Sequence, residues 1–122
     1  MKNLISVIVF FIFLFTSCED CTDCPDNNEN INHAPVIQHI NVNPPSPVDT
    51  SIWVQINVIA IDEDDEELAY FWSATGGRIY ENQINTNPTQ WQSNQYGNFV
   101  ITCTVSDGQE TASGTTLITV SQ

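Results

Sequence analysis

Basic side chains are almost absent from this chain. Lys2 and Arg78 are its only lysine and arginine among 122 residues, which include fifteen aspartates and glutamates. A surface this acidic repels nucleic-acid phosphates and anionic lipid headgroups, so the charge excludes nucleic-acid binding. The composition favours an extracellular module, or a domain that binds cations or a basic partner.

Side chains that commonly carry catalysis are also scarce. The two histidines, His33 and His39, lie in the first third of the chain and have no Ser or Cys motif beside them. The sequence contains no Gly-rich phosphate loop and no His-rich metal motif. The carboxylates of the central region lie together on one loop. A catalytic acid–base pair instead needs two groups placed across a cleft. We therefore predict that the protein is not an enzyme and uses no organic cofactor.

No apolar run is long enough to cross a membrane, which takes roughly 20 residues. The longest is residues 4–15, which follow the basic Lys2 and precede the small side chains of Thr16 and Ser17. This order is typical of an export signal peptide. The alternative, a buried core helix, is opposed by the N-terminal position and by the lack of a polar face. We predict a signal peptide over residues 1–17.

Residues 15–18, Phe-Thr-Ser-Cys, resemble the lipobox of bacterial lipoproteins, in which the cysteine becomes the first mature residue and is acylated. Phe15 stands where leucine is usual. The resemblance implies lipidation of Cys18, and each buried CH₂ of an acyl chain contributes about 0.8 kcal/mol to anchoring. Glu19 and Asp20 resemble the surface-export signals of lipoproteins in the Bacteroidetes group, which implies an outer-membrane, cell-surface location. Ordinary cleavage, giving a secreted protein, is the alternative.

Three of the four cysteines, Cys18, Cys21 and Cys24, are spaced C-x₂-C-x₂-C. The spacing superficially resembles an iron–sulfur ligand run, but acylation of Cys18 would remove one ligand. Cys21 and Cys24 can close a small disulfide, pair with another chain or bind a metal. Cys103 lies among β-branched and aromatic residues, which predicts a small buried hydrophobe.

Residues 18–34 are polar, acidic and rich in asparagine, without apolar periodicity. Such a segment cannot bury enough surface to offset its ordering entropy. We predict that it is a flexible tether carrying a lipidated cysteine, with His33 as a solvated linker residue. The folded domain is then residues 35–122.

The domain shows β-type alternation throughout. Its clearest segment is residues 52–60, where alternate apolar side chains form one face: Ile52, Val54, Ile56, Val58 and Ala60. Further strands are expected at residues 36–42, 68–73, 99–105 and 118–120, and around Ile79 and Trp91. Asp107-Gly108 is a hairpin signal. The pattern predicts an all-β sandwich of about seven antiparallel strands.

Four segments together resemble a bacterial PKD-type, immunoglobulin-like domain: residues 32–37, 62–72, 73–77 and 96–108. The resemblance covers about residue 32 to the C-terminus. It implies an immunoglobulin-like sandwich in which Trp72 fills the core between the sheets and Tyr96 forms a tyrosine corner. Cys103 stands where such domains usually have an inward aliphatic side chain.

Two candidate binding sites follow from the residues. Carboxylates that repel one another occupy residues 62–67, and calcium takes six to eight oxygen ligands. The predicted ligands are Asp62, Asp64, Asp65 and Glu66. The loop lacks the glycine and the terminal glutamate of an EF-hand, and a solvated acidic loop is the alternative.

The second candidate is an aromatic platform formed by Trp53 and Trp91 on neighbouring strands, suited to a sugar or a protein partner. Trp91 can also face the core. The expected function is a membrane-anchored surface lipoprotein whose immunoglobulin-like module contacts a protein or glycan, or acts as a spacer. The alternatives are a calcium-dependent or carbohydrate-binding module and an accessory subunit of an envelope complex.

Overall fold

The computed structural model describes residues 31–64 and 66–122. The predicted signal peptide (residues 1–17), the lipidation of Cys18, and the pairing of Cys21 and Cys24 lie outside the described residues and stay predictions. No helix in the described ranges has the length and apolarity needed to cross a bilayer.

The described residues form seven strands and no α-helix. The strands are β1 (Val36–Asn43), β2 (Val54–Ile61), β3 (Ala69–Ala74), β4 (Arg78–Ile79), β5 (Thr89–Gln92), β6 (Gly97–Ser106) and β7 (Thr111–Val120). A short 3₁₀ turn, Glu81–Gln83, lies between β4 and β5. One sheet has the order β1-β2-β5-β4 and the other β3-β6-β7, with every pairing of named strands antiparallel.

One hydrophobic core joins the two sheets and confirms the predicted β-sandwich. Val54, Ile56 and Val58 of β2 are at most 2% exposed, as the alternation over residues 52–60 predicts. Ala60 is only partly buried, and Ile52 stays 43% exposed because β2 begins only at Val54. The second sheet buries apolar side chains from β3, β6 and β7 against this face: Trp72, Ile101, Cys103, Val105, Ile118 and Val120.

Trp72 and Cys103 occupy the core as predicted. They pair across β3 and β6, and they are 7% and 0% exposed. The Trp72 indole Nε1 donates to the carbonyl oxygen of Thr86 at 2.8 Å, which satisfies its one polar atom. Burial raises the pKa of the Cys103 thiol to about 11, so this sulfur stays protonated and acts as a hydrophobe.

Tyr96, for which the resemblance implies a structural role at a tyrosine corner, does not lie in the core. Its side chain is 56% exposed and lies just before β6. The turn is closed instead by Ser93, which is 4% exposed and whose Oγ accepts from the Gln95 backbone N–H at 3.0 Å. The Ser93 carbonyl oxygen also accepts from the Ser51 N–H at 2.8 Å, so two turns are tied without the tyrosine.

The connection between β1 and β2, which are neighbours in one sheet, reaches β7 of the other sheet at Val48. The Val48 N–H donates to the Thr119 carbonyl and the Val48 carbonyl accepts from the Ser121 N–H, each at 2.9 Å. Val48 thus pairs in parallel with Val120 at the edge of β7 and buries its side chain in the core.

The hairpin predicted at Asp107-Gly108 is confirmed between β6 and β7. Asp107 Oδ1 accepts from the backbone N–H groups of Gln109 and Glu110, each at 2.6 Å. Gly108 has a φ of +100°, which an L side chain rarely adopts. The aspartate therefore closes the turn and the glycine allows its backbone shape.

The compact unit begins at Asn32, three residues before the predicted domain start. Asn32 Nδ2 donates to Asp107 Oδ2 at 2.9 Å and to Glu110 Oε2 at 3.2 Å. The His33 backbone N–H donates to Asp64 Oδ2 at 2.6 Å. Both residues are therefore held by side chains of distant turns, while His33 remains exposed, as predicted.

Candidate functional site

The calcium site predicted in the acidic loop stays a prediction, because one of its four ligands lies outside the described residues. Asp62 Oδ1 accepts from the Asp64 N–H at 2.8 Å, while Asp64 is bound to His33. One oxygen each of Asp62 and Glu66 is shielded from solvent without a protein partner. Asp65 lies outside the described residues, and elsewhere in residues 31–122 no three His, Cys, Asp or Glu side chains converge to hold a metal ion.

Asp64 and His33 instead form an exposed ion pair when the imidazole is protonated. His33 Nδ1 lies 3.2 Å from Asp64 Oδ1. The hydrogen bond to Asp64, and then the charge of Glu63, raise the pKa of His33. The backbone N–H of His33, and then its side chain, lower the pKa of Asp64. The Asp64 carboxylate of the acidic loop thus binds His33 at the start of the domain.

The predicted platform of Trp53 and Trp91 is wrong, because Trp91 faces the core. Trp91 is 0% exposed and its ring packs on Phe99 with the centroids 5.3 Å apart. On β5, Thr89 and Trp91 point inward, while Gln90 and Gln92 are partly exposed. Since Val54 lies opposite Trp91 and is also buried, Trp53 shares the outer face with Gln92.

Trp53 forms a different cluster, with Arg78 and Tyr80. The Arg78 Cζ lies 5.3 Å from the centroid of the Trp53 ring, within the range of a cation–π contact. The Tyr80 ring meets Trp53 edge to face, at 5.5 Å and 79°. Together with Gln92, these side chains form what we call the Arg78 cluster.

Gln92 fixes the guanidinium of Arg78. With its amide oriented to satisfy both neighbours, Gln92 Oε1 accepts from Arg78 Nε at 3.0 Å and from Nη2 at 2.9 Å. The Gln92 Nε2 donates to the Ser51 carbonyl at 3.2 Å. A guanidinium carries five N–H donors in a planar fork. In the described part of the chain, the edge formed by Nη1 and Nη2 therefore remains available to a ligand.

The turn before β4 delivers Arg78 to this position. Gly77 has a φ of +72°, and a Cβ built on it would lie 2.5 Å from the Gln92 carbonyl oxygen and 2.6 Å from Trp91 Cζ2. Only glycine fits so close to the backbone and the buried ring. Arg78 then pairs with Gln92 in the β4–β5 ladder.

A polar groove opens beside the cluster. Its volume is about 510 Å³, and it is lined by Arg78 and by neutral side chains that include Ser51, Gln92, Ser93, Asn94 and Gln95. A smaller cleft of about 130 Å³ also includes Arg78 in its lining, together with Trp53, Tyr80 and Glu81, among others. None of the described carboxylates lines the larger groove.

Comparison with protein-family models, curated proteins and solved structures found no match to this chain. The chemistry of the groove is therefore the basis for a functional conclusion.

Sequence reasoning identified Trp53 but missed Arg78, Tyr80 and Gln92. One signal was present, because Arg78 is the only basic side chain after Lys2. An isolated cation in an acidic chain can form a structural ion pair, bind a ligand or stay solvated. Within the described residues Arg78 forms no salt bridge, and its contacts are an aromatic ring and an amide.

Proposed function

We propose that this chain is a lipid-anchored protein of the bacterial cell envelope, and that its β-sandwich is a non-enzymatic binding module. The ligand contacts the module in the groove beside the Arg78 cluster. The observation that carries the proposal is the groove itself, which has a volume of about 510 Å³, one positioned cation and no carboxylate in its lining.

The size and the chemistry of the groove support binding. Sites for small ligands typically measure about 300–1,000 Å³ and contain a few placed polar groups. Arg78 is held on one side by the Trp53 ring and on its Nε edge by Gln92. A side chain ordered before binding loses less conformational entropy when the ligand arrives.

The order of the strands supports the immunoglobulin-like assignment. Constant-type immunoglobulin domains place the first, second, fifth and fourth strands in one sheet and the third, sixth and seventh in the other. The orders β1-β2-β5-β4 and β3-β6-β7 have the same arrangement. The segments at residues 62–72 and 96–108 add the resemblance to PKD-type domains.

The membrane anchor is supported by the sequence before the domain. Residues 1–17 have the pattern of a signal peptide, and Cys18 follows at the lipobox position. The predicted lipid anchor can be tested by feeding radiolabelled palmitate to bacteria that produce the protein. The label is expected on the wild-type protein and not on Cys18→Ala, whereas equal labelling of both would contradict the anchor.

Site-directed photo-crosslinking on intact cells tests the binding part. A benzophenone amino acid placed at Asn94, in the groove, is expected to give adducts with the ligand. The matched control is Thr115, an exposed residue on β7 of the other sheet. Adducts of equal yield from both positions, or none from Asn94, would contradict a groove that binds.

A further inference from the structure

We infer that the groove beside the Arg78 cluster selects acidic saccharides, and that Arg78 holds the carboxylate of a uronic acid residue. This inference rests on the proposed binding function of the groove. It adds the chemical class of the ligand and the residue that discriminates it from neutral sugars.

The geometry of Arg78 matches a carboxylate. Gln92 occupies the edge of the guanidinium formed by Nε and Nη2, at 3.0 and 2.9 Å. The remaining edge presents two parallel N–H groups, one from Nη1 and one from Nη2, and a carboxylate accepts such a pair with both oxygens. Because Trp53 and Gln92 already fix the plane of the guanidinium, a carboxylate meets this edge in one orientation.

The local charge also favours an anion, although the chain as a whole is acidic. None of the described acidic side chains lines the larger groove, and Glu81 lines the smaller cleft instead. At physiological ionic strength the field of distant charges is screened over about 8 Å. Among the described residues, Arg78 is therefore the charged side chain that lines the groove itself.

The rest of the lining suits a ligand with many hydroxyl groups. Asn94 and Gln95 are exposed, and their amides both donate and accept hydrogen bonds, as sugar hydroxyls require. In the adjoining cleft, Trp53 and Tyr80 offer aromatic surface for the C–H face of a pyranose ring. An acid without hydroxyl groups would leave most of these polar groups without partners.

An acidic peptide fits the site less well. Extended peptides commonly bind by adding a strand to an exposed sheet edge. The edge strand here, β4, has only two residues, Arg78 and Ile79, and offers too short a ladder. The observations therefore favour a saccharide over a peptide.

Nuclear magnetic resonance titration of the ¹⁵N-labelled, unlipidated Cys18→Ala chain tests the inference. The probes are trigalacturonate, the neutral α-1,4-linked galactotriose and a triglutamate peptide. Trigalacturonate is expected to shift the Arg78 Nε–H signal and the amides of Gln92 and Asn94. Galactotriose, and trigalacturonate added to Arg78→Gln, are each expected to bind about tenfold more weakly or worse.

Each contrary outcome has a distinct meaning. Equal binding of both saccharides, with no effect of Arg78→Gln, would overturn the selection of acids and leave a groove that binds neutral sugars. Groove shifts with triglutamate alone would overturn the saccharide class and leave the proposed function standing. Shifts confined to β7, or no shift with any saccharide, would overturn the inference, and the crosslinking at Asn94 would then decide the proposed function separately.

Discussion

The indole Nε1 of Trp91 donates a hydrogen bond of 2.9 Å to the carbonyl oxygen of Gly76. Trp91 is fully buried, whereas Gly76 belongs to the turn that precedes Arg78. The same ring lies against Gly77. The core of the sandwich therefore holds the turn that places the only arginine of the domain, which has no lysine, beside the groove.

Replacement of Trp91 by phenylalanine removes this hydrogen bond and part of the buried ring. We expect the free energy of unfolding, measured by urea denaturation, to fall by about 1–3 kcal/mol. Trp53→Phe is the control, because Trp53 is only half-buried and should cost less than about 1 kcal/mol. Equal losses in the two variants would mean that the core position of Trp91 carries no special stabilisation.

Gly77→Ala combines an unfavourable φ of +72° with overlap against the Trp91 ring and the Gln92 carbonyl. The backbone strain costs about 1–2 kcal/mol, and the overlap adds about 1–3 kcal/mol. Gly108→Ala is the matched control, since Gly108 has a φ of +100° with no atom within 4 Å of its Cβ position. We expect thermal unfolding to show a larger loss at Gly77, and equal losses would contradict the close packing.

The strands with regular alternation could be predicted from the sequence. Over residues 52–60 the apolar positions repeat every second residue, and Val54, Ile56 and Val58 are buried in the structure. Cys103 also follows from the β-branched and aromatic residues around it in β6, whereas the core position of Trp72 was expected from the family resemblance. Burial on one face of a strand is a local property, so the local pattern is sufficient.

The Arg78 cluster could not be predicted, because it depends on pairing between distant segments. Trp53, Arg78 and Gln92 come from three parts of the chain, and the registers of β2–β5 and β4–β5 bring them together. β4 has only two residues, too few to show a period. The prediction for Tyr96 was wrong for another reason. It came from a family resemblance, whereas Ser93 closes that turn in the structure.

The side chain of Asn87 extends the pairing to β2 just before β5 begins. Asn87 Oδ1 accepts from the Val58 N–H at 2.9 Å, and its Nδ2 donates to the Val58 carbonyl at 2.7 Å. Asn87→Ala leaves both backbone groups without partners, so we expect a loss of about 1–3 kcal/mol in urea denaturation. Asn85→Ala, at an exposed position of the same connection, should change stability by less than about 0.5 kcal/mol. A loss at Asn87 no larger than at Asn85 would contradict this role.

The pair of His33 and Asp64 makes stability depend on pH in a defined window. The pKa of His33 is raised above 6.5, so its contribution is complete below pH 6.5 and is lost as the pH rises through the raised value. The pKa of Asp64 is lowered below 3.8, so its contribution is complete above pH 3.8 and is lost as the pH falls through the lowered value. The pair therefore stabilises the domain most between pH 3.8 and 6.5.

Asp64→Asn keeps an oxygen that can accept from the His33 backbone N–H and removes the charge. We expect the pKa of His33, followed by the imidazole proton resonances, to fall in this variant. The gap in unfolding free energy between wild type and variant should be largest inside the window and should shrink as the pH rises past the pKa of His33. His39, on β1, provides a second imidazole signal in the same spectra. A parallel change at both histidines would indicate global unfolding instead, and an unchanged His33 would mean that the Asp64 charge does not act on the imidazole.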